Sequence, residues 1–396
     1  MKRWFALLYV SFIIFSCQKE GCTDPAASNY NESAGKEDGS CSYDCEFCPP
    51  PLVNINGQDY YNISGNLTYD YTLTADKKWL LSGGVFIEDG TTLTIEAGTS
   101  IYAADDGSVP FISVQKGAKI IAQGTSTEPI VFTSIKDNPE AGDWGGIILN
   151  GQSKIQHSAE CGEGEGGTGS FGGLILEDNS GILSYVRIEY AGKLLSTDYE
   201  LPGLGLFGVG SETQIDHVQL YKCGNDGLHV FGGTVDFSQL YVLDCLGDGV
   251  DISNPWGGAA ETILIEWDQL EGDTGLEIEY DLNSDFSGQF QNCVIKGAGQ
   301  LGAVKLYDLA KASLDNFILE SNEVGLKIRN EAIPNYHDGL VNCTNFTGIN
   351  NTEDYQFNSS ESLDSAQTNL LLEQTFNNLG TGIETFNWLE GWTVGH

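Results

Sequence analysis

Along most of this chain the apolar residues come in runs too short for helices. Val85-Phe86-Ile87, Leu93-Thr94-Ile95 and Ile101-Tyr102-Ala103 are three such runs, separated by Gly, Asn and Asp. Apolar and polar positions alternate within them, as in strands with one buried face, and the intervening residues are turn formers. From about Trp79 onward the pattern repeats. Gly205-Leu206, Gly227-Leu228, Gly249-Val250, Gly275-Leu276, Gly302-Ala303 and Gly325-Leu326 align as one step, with spacings of 22, 22, 26, 27 and 23 residues. Residues 220–228 superpose on 242–250, which sets Cys223 at the phase of Cys245 and Asp226 at the phase of Asp248.

A unit of that length holds three short strands and three turns, one coil of a parallel β-helix. Stacking pairs each strand with its equivalent ~4.8 Å above, and a single coil cannot bury its inner face alone. A leucine-rich repeat would need its Leu/Asn signature, and a propeller would need blades of ~40 residues. The expected fold is therefore all-β: a right-handed, single-stranded parallel β-helix of about 13 coils, ~60 Å long. Its expected extent is residues 79–396, with Phe386 to Trp392 capping the last coil, because an open end is an exposed sheet edge.

Length and charge narrow the reading. At 396 residues the chain exceeds one ordinary domain of ~100–200 residues unless the fold is repetitive. Gly occurs 50 times and Pro 10 times, which suits many sharp turns in an ordered structure better than a loose linker. Lys and Arg number 18 against 56 Asp and Glu, a formal charge of −38. Such a body repels phosphate backbones, so nucleic acid is excluded as a partner. The same charge disfavours an electrostatic grip on anionic lipid or on a dense polyanion.

The N-terminus reads as an address. Lys2 and Arg3 precede an apolar stretch from Phe5 to Phe15, too short to span a bilayer and suited to a signal peptide over residues 1–16. Ser16-Cys17 resembles the lipobox of bacterial lipoproteins, with Phe15 in place of the usual small or aliphatic residue. The resemblance implies an acyl chain on Cys17 and attachment to a membrane through that lipid. Gln18-Lys19-Glu20 partly resembles the signal that sends Bacteroidota lipoproteins to the cell surface. The implied location is the outer membrane, facing the exterior.

Residues 17–48 form a separate small module. From Gly21 to Tyr43 the chain resembles a short module of secreted Bacteroidota proteins, GCTDPxAxNY followed by DGSC. Cys22 and Cys41 would close a loop of about 20 residues, worth roughly 3 kcal/mol in an oxidising compartment. Asp24, Asn29, Asn31 and Asp38 supply oxygens that would suit Ca2+, or else serve as turn-forming residues without metal. Cys45 and Cys48 fit a second bridge, a redox pair or half a zinc site; with no second CxxC, a structural bridge is the default. Pro49-Pro50-Pro51 opens a stiff linker and N-terminal cap over residues 49–78. Five cysteines remain for the body: Cys161, Cys223, Cys245, Cys293 and Cys343. Cys223 and Cys245 are expected to stack inside as thiols.

The body itself resembles β-helix lipoproteins of Bacteroidota and marine bacteria. The phrases that carry the resemblance lie at residues 90–101, 117–125, 129–134, 143–151, 185–192 and 209–233, and it covers about 80–330. It implies fold and location more than activity.

Candidate chemistry concentrates between residues 220 and 280. Asn225-Asp226-Gly227 and Gly247-Asp248-Gly249 sit one coil apart, with His229, Asp251, Glu277, Glu279 and Asp281 following. Stacked carboxylates such as Asp226, Asp248 and Asp251 suit a glycosidase acid and nucleophile pair, or Ca2+ as in pectate-lyase-like β-helices. The alternative is turn chemistry at left-handed positions. Lys222, Lys296, Lys305, Lys327 and Arg329 are the nearby bases. Trp256, Trp267, Tyr190, Tyr199, Tyr221, Tyr241 and Tyr280 would form either an aromatic ledge for sugar rings or core. No GxSxG, P-loop, HExxH or dinucleotide fingerprint occurs. The leading expectation is a surface lipoprotein that binds or scaffolds without catalysis, its partner a glycan or an outer-membrane protein complex. The alternative is a polysaccharide hydrolase or lyase using the stacked carboxylates.

Overall fold

The computed structural model describes residues 31, 33–34, 50–155, 161–196, 199–268, 272–280, 283–297, 301–329, 332–358, 375–376 and 386–395. The chain divides into two units, Met1–Pro49 and Pro50–His396. In the first, Asn31 Oδ1 accepts from Ser33 N–H at 3.1 Å and from Ser33 Oγ at 2.7 Å, an Asx turn. Cys17, Cys22, Asp24, Asn29, Asp38, Cys41, Cys45 and Cys48 lie outside the described residues.

The second unit opens with an antiparallel hairpin, Leu52–Ile55 against Gln58–Leu67. Asn56 and Gly57 turn it with φ of 52° and 83°, the left-handed pair that a two-residue hairpin needs. Beyond the hairpin the strands stack in parallel as a β-helix with three faces. Face A runs through residues 65–67 and 84–87, Phe111–Val114, Ile147–Asn150, Leu204–Phe207, Leu228–Phe231, Val250–Ser253, and then 276–279, 304–306, 326–329 and 355–358. Face B starts at Tyr71–Leu73, Thr92–Ile95 and Lys119–Gln123 and continues in the first halves of the long strands from Gly181–Glu189 to Val341–Ile349. Face C takes their second halves, preceded by residues 61–63, 78–81, Ser100–Ala103 and Ile130–Ser134.

Face A holds eleven rungs among the described residues, so the stack is roughly 48 Å long at ~4.8 Å per step, shorter than expected. Uniform coils were the wrong assumption. Two excursions leave the coil as short hairpins, Gly162–Gly164 with Gly169–Phe171 and Leu194–Ser196 with Tyr199–Glu200. Parallel stacking also begins earlier than residue 79, since Tyr61 already pairs with Trp79.

Inside, like residues sit over like. Ile112, Ile147, Leu204, Leu228, Val250, Leu276, Val304 and Leu326 form one continuous inward column on face A, all buried. Each such side chain contributes about 1.5–3 kcal/mol by leaving water. Cys223 and Cys245 are free, buried neighbours, and a hydrogen bond to the Cys245 thiol, with burial, pushes the Cys223 thiol up.

The register corrects two of the glycine steps. Gly205 pairs with His229, so Gly203 is the true partner of Gly227; a slip of two residues keeps every side chain on its proper face and leaves no trace in the pattern. Ala303, and not Gly302, stands over Gly275. These glycines serve close approach, not turning. A Cβ on Gly275 would lie 2.4 Å from Ala303 O and 2.5 Å from Ile295 Cγ2, and φ is not positive at Gly203, Gly227, Gly249, Gly275 or Gly325. One left-handed corner lies between faces B and C, and another closes face C at Tyr190, Lys222, Asp244, Ser321 and Asn350. The first is a column of Tyr185, His217, Gln239, Thr262, Asn292, Asn316 and Asn345, with φ from 48° to 61°. Asn316 Nδ2 donates to Asn292 Oδ1 at 2.7 Å, an asparagine ladder where the strand bends.

The C-terminal segment does not cap the last coil. Residues 386–395 fold back along face C, whose outward side is apolar in mid-stack: Tyr241, Leu243, Leu264 and Val294 pack with Leu389, Phe386 and Trp388. Gln219 exchanges two 2.8 Å hydrogen bonds with the backbone of Val394. Trp392 is fully buried beside Tyr185 and His217. Phe376 and Thr375 pack on the last coil instead, against Phe346, Tyr355 and the Cys343 carbonyl.

Candidate functional site

The corner that leads into face A carries Asp226 and Asp248 at equivalent positions of successive coils. Asp248 N–H donates to Asp226 Oδ1 at 2.8 Å, and Thr274 N–H donates to Asp248 Oδ1 at 2.7 Å. Each carboxylate thus ties down a backbone donor of the next coil, the turn chemistry that was the alternative reading. Asp251 sits on the strand itself, in register between His229 and Glu277. Its Oδ2 lies 3.4 Å from His229 Nε2, with side-chain exposures of 18% and 24%. The same nitrogen is 2.5 Å from Ser253 Oγ. The imidazole packs edge-on against Phe207, at 5.3 Å between ring centres, and near Phe231. One ligand atom each from Asp226, His229 and Asp251 falls within 4.8 Å of the others, so these three could hold a metal ion.

Farther along face A the charge reverses. Lys305 Nζ donates to both oxygens of Glu277 at 2.7 Å. Lys305, Lys327 and Gln356 continue the outward column of His229, Asp251 and Glu277. Beside them Tyr307 lies under the cations of Lys305, at 5.3 Å, and Arg329, at 5.6 Å. Such rungs repeat at one strand spacing, acidic at one end and basic at the other.

Burial sets the electrostatics. It pushes the Asp226 carboxyl up to about 7, helped by repulsion from Glu200, Glu277 and Asp273. Burial and then repulsion from Asp226 raise Asp248 and Asp251, with Glu277 adding to both. It also lowers His229 to about 4, keeping the imidazole neutral. Lys327 is lowered by burial and then by the neighbouring Arg329 and Lys305.

Two excursions wall the near end. The 162–171 hairpin lies over the earlier rungs, where the carbonyl of Thr168 accepts from Ser113 Oγ, and at 2.9 Å from both Gln115 Nε2 and Asn150 Nδ2. Phe171 packs on Phe207 and Phe231. The second hairpin brings Glu200 to Asn225.

The structure therefore gathers Asp226, Asp248 and Asp251, but it occupies the first two with backbone and sets the third against His229. Glu277, Lys305, Lys327 and Arg329 join them on one face. Lys222 lies elsewhere, in a cleft of about 520 Å³ with Asp244, Leu246, Trp267 and Asp268. Lys296 pairs with Glu266 on face C at 2.9 Å. Asp281 lies outside the described residues. Of the two fates open to the aromatic residues, burial is the one that Trp256, Tyr241 and Tyr280 take, because inward phase or the C-terminal segment claims them. Tyr307, Phe207 and Phe231 are rings on the site face, and sequence reasoning passed over all three. The spacing of Glu277 and Lys305, close to one coil, was the signal that could have found their pairing.

A family model described as a pectate-lyase-like beta-helix domain matches residues 65–393, and the chain belongs to that family. No curated protein and no solved structure matches it.

Proposed function

We propose that this pectate-lyase-like β-helix is a polysaccharide-binding protein, presented outside the cell on a lipid anchor, whose ligand lies along the open rungs of face A. One observation carries the reading. His229, Asp251, Glu277, Lys305 and Lys327 form a single outward column, one side chain per coil, flanked by Tyr307 and Arg329. Hydrogen-bonding groups repeated every ~4.8 Å suit an extended polymer, and an aromatic face suits a sugar ring. The local cations sit in a chain of net charge −38, so a sparsely charged polymer fits better than a dense polyanion. Support for the anchor comes from the sequence of residues 1–17. An outer-membrane protein complex is the other class of partner such an anchor brings within reach.

A second reading is supported by Lys327, whose lowered amine stands beside the guanidinium of Arg329. Such a pair would serve a lyase on a uronate. Arg329 would hold the carboxylate, and Lys327 would take the proton beside it. The electron pair of that C–H bond would form the ring double bond as the glycosidic C–O bond breaks, and the leaving oxygen would take a proton from water.

Affinity electrophoresis against a polysaccharide panel, with ultraviolet detection of unsaturated product, tests both. Retention by one polymer class that Tyr307→Ala with Lys327→Ala abolishes, without new absorbance, is the expected result. Absorbance that grows with time and disappears in Lys327→Ala would establish the lyase instead. Migration unchanged across the panel, with no growth of absorbance, overturns both readings. Palmitate labelling lost in Cys17→Ala checks the anchor.

A further inference from the structure

Calcium is the ion that stacked carboxylates of pectate-lyase-like β-helices are expected to hold, and the residues of this chain can be tested against it. Ca2+ takes six to eight oxygens at ~2.3–2.6 Å. Here Asp226 Oδ1 and Asp248 Oδ1 are each spent on a backbone N–H of the next coil. Both oxygens of Glu277 are held by Lys305. In the outward column, the position one coil before Asp251 is an imidazole, not a carboxylate. One donor of the group is thus an imidazole nitrogen, which Ca2+ does not favour.

We propose that Asp226, His229 and Asp251 form a site for a divalent transition ion of the zinc class, in preference to calcium. The geometry fits. Two ligands ~2.0–2.1 Å from one ion in a tetrahedral shell stand ~3.3 Å apart. His229 Nε2 and Asp251 Oδ2 are 3.4 Å apart. The third ligand atom, a carboxylate oxygen of Asp226, completes a group within 4.8 Å. Imidazole with carboxylate suits Zn2+ and its neighbours in the transition series, whereas all-oxygen shells suit Ca2+. Lys305, the nearest base in the column, is already committed to Glu277. The walls are built for a fixed ligand. Phe207 and Phe231 set the ring plane, and the bond from Asp248 N–H sets the Asp226 carboxylate. Ser253 Oγ, now 2.5 Å from Nε2, yields that position to the ion. Water would fill the rest of the shell on the open side of face A.

The inference does not rest on polysaccharide binding; an ion bound by a protein that retains no glycan would refute only the earlier reading. The full chain, stripped with chelator, is titrated calorimetrically with Zn2+ and separately with Ca2+. One equivalent of Zn2+ at an affinity at least 100-fold above that for Ca2+ is expected. His229→Gln and Asp251→Asn, near-isosteric changes whose circular dichroism should match wild type, should each lower Zn2+ affinity at least tenfold. Because cysteines also bind zinc, the Co2+ form is read by absorption, where d–d bands without a thiolate charge-transfer band are expected. Ca2+ binding as tight as Zn2+, zinc retained in both variants, a thiolate band, or no zinc uptake would each overturn the assignment.

Discussion

Replacing Asp226 by Asn isolates the cost of crowding carboxylates at the corner of face A. Asn keeps the side-chain oxygen that accepts from Asp248 N–H and removes the charge. The Asp226 carboxyl stands at about 7 against an ordinary 3.8, raised first by burial and then by Glu200, Glu277 and Asp273. A raised carboxyl means the native protein holds its proton more tightly than the unfolded chain does. Its contribution to stability is therefore fully present below pH 4 and lost as pH rises through 7. At 1.36 kcal/mol per pH unit the shift corresponds to about 4 kcal/mol, and halving it for the partly exposed, solvent-screened position leaves about 2 kcal/mol. Asp226→Asn should accordingly gain about 2 kcal/mol at pH 8 and almost nothing at pH 4. Urea unfolding followed by tryptophan emission, with chelator present so that no bound ion masks the charge, measures both. Trp256 is buried one coil away and reports on this part of the stack. A loss of stability at pH 8, or an equal gain at both pH values, would refute the argument that the charge is frustrated.

Three further outcomes follow from the packing. Lys305→Met leaves Glu277 without its partner at a site where both side chains are little exposed, 12% and 11%, and should cost about 3–5 kcal/mol; adding Glu277→Gln should restore most of the thermal midpoint. Gly275→Ala drives a methyl into Ala303 O and Ile295, and an urea midpoint lowered by the equivalent of about 1–3 kcal/mol is expected. Trp392→Ala removes a fully buried ring from the segment covering face C and should cost about 3–5 kcal/mol; dye binding to newly exposed apolar surface should rise, and unchanged dye fluorescence would mean that the segment holds without it.

Much of this was legible along the chain. Alternation in short runs gave strands, and a recurring glycine step gave coils, because a solenoid repeats its local physics every turn. The neighbours Cys223 and Cys245, and the stacking of Asp226 on Asp248, came from phase alone. What phase could not give was depth and direction. The slip between Gly203 and Gly205 left the alternation intact, so only the hydrogen-bonded register resolved it. Left-handed backbone fell on Tyr185, Gln239 and Thr262, residues with no intrinsic preference for it, because the corner between faces B and C imposes it.

The sequence by itself determined a stacked β-helix, an acidic surface and the face on which the carboxylates gather. Tertiary structure alone decided what those carboxylates do. It gave Asp226 and Asp248 backbone donors to hold, set Asp251 against an imidazole, paired Glu277 with Lys305, and brought the C-terminal residues back over an apolar face. The physical reason is distance. Coil-to-coil neighbours sit ~4.8 Å apart yet 22 to 28 residues distant in the chain, so an ion pair or a cap forms only once the register is fixed.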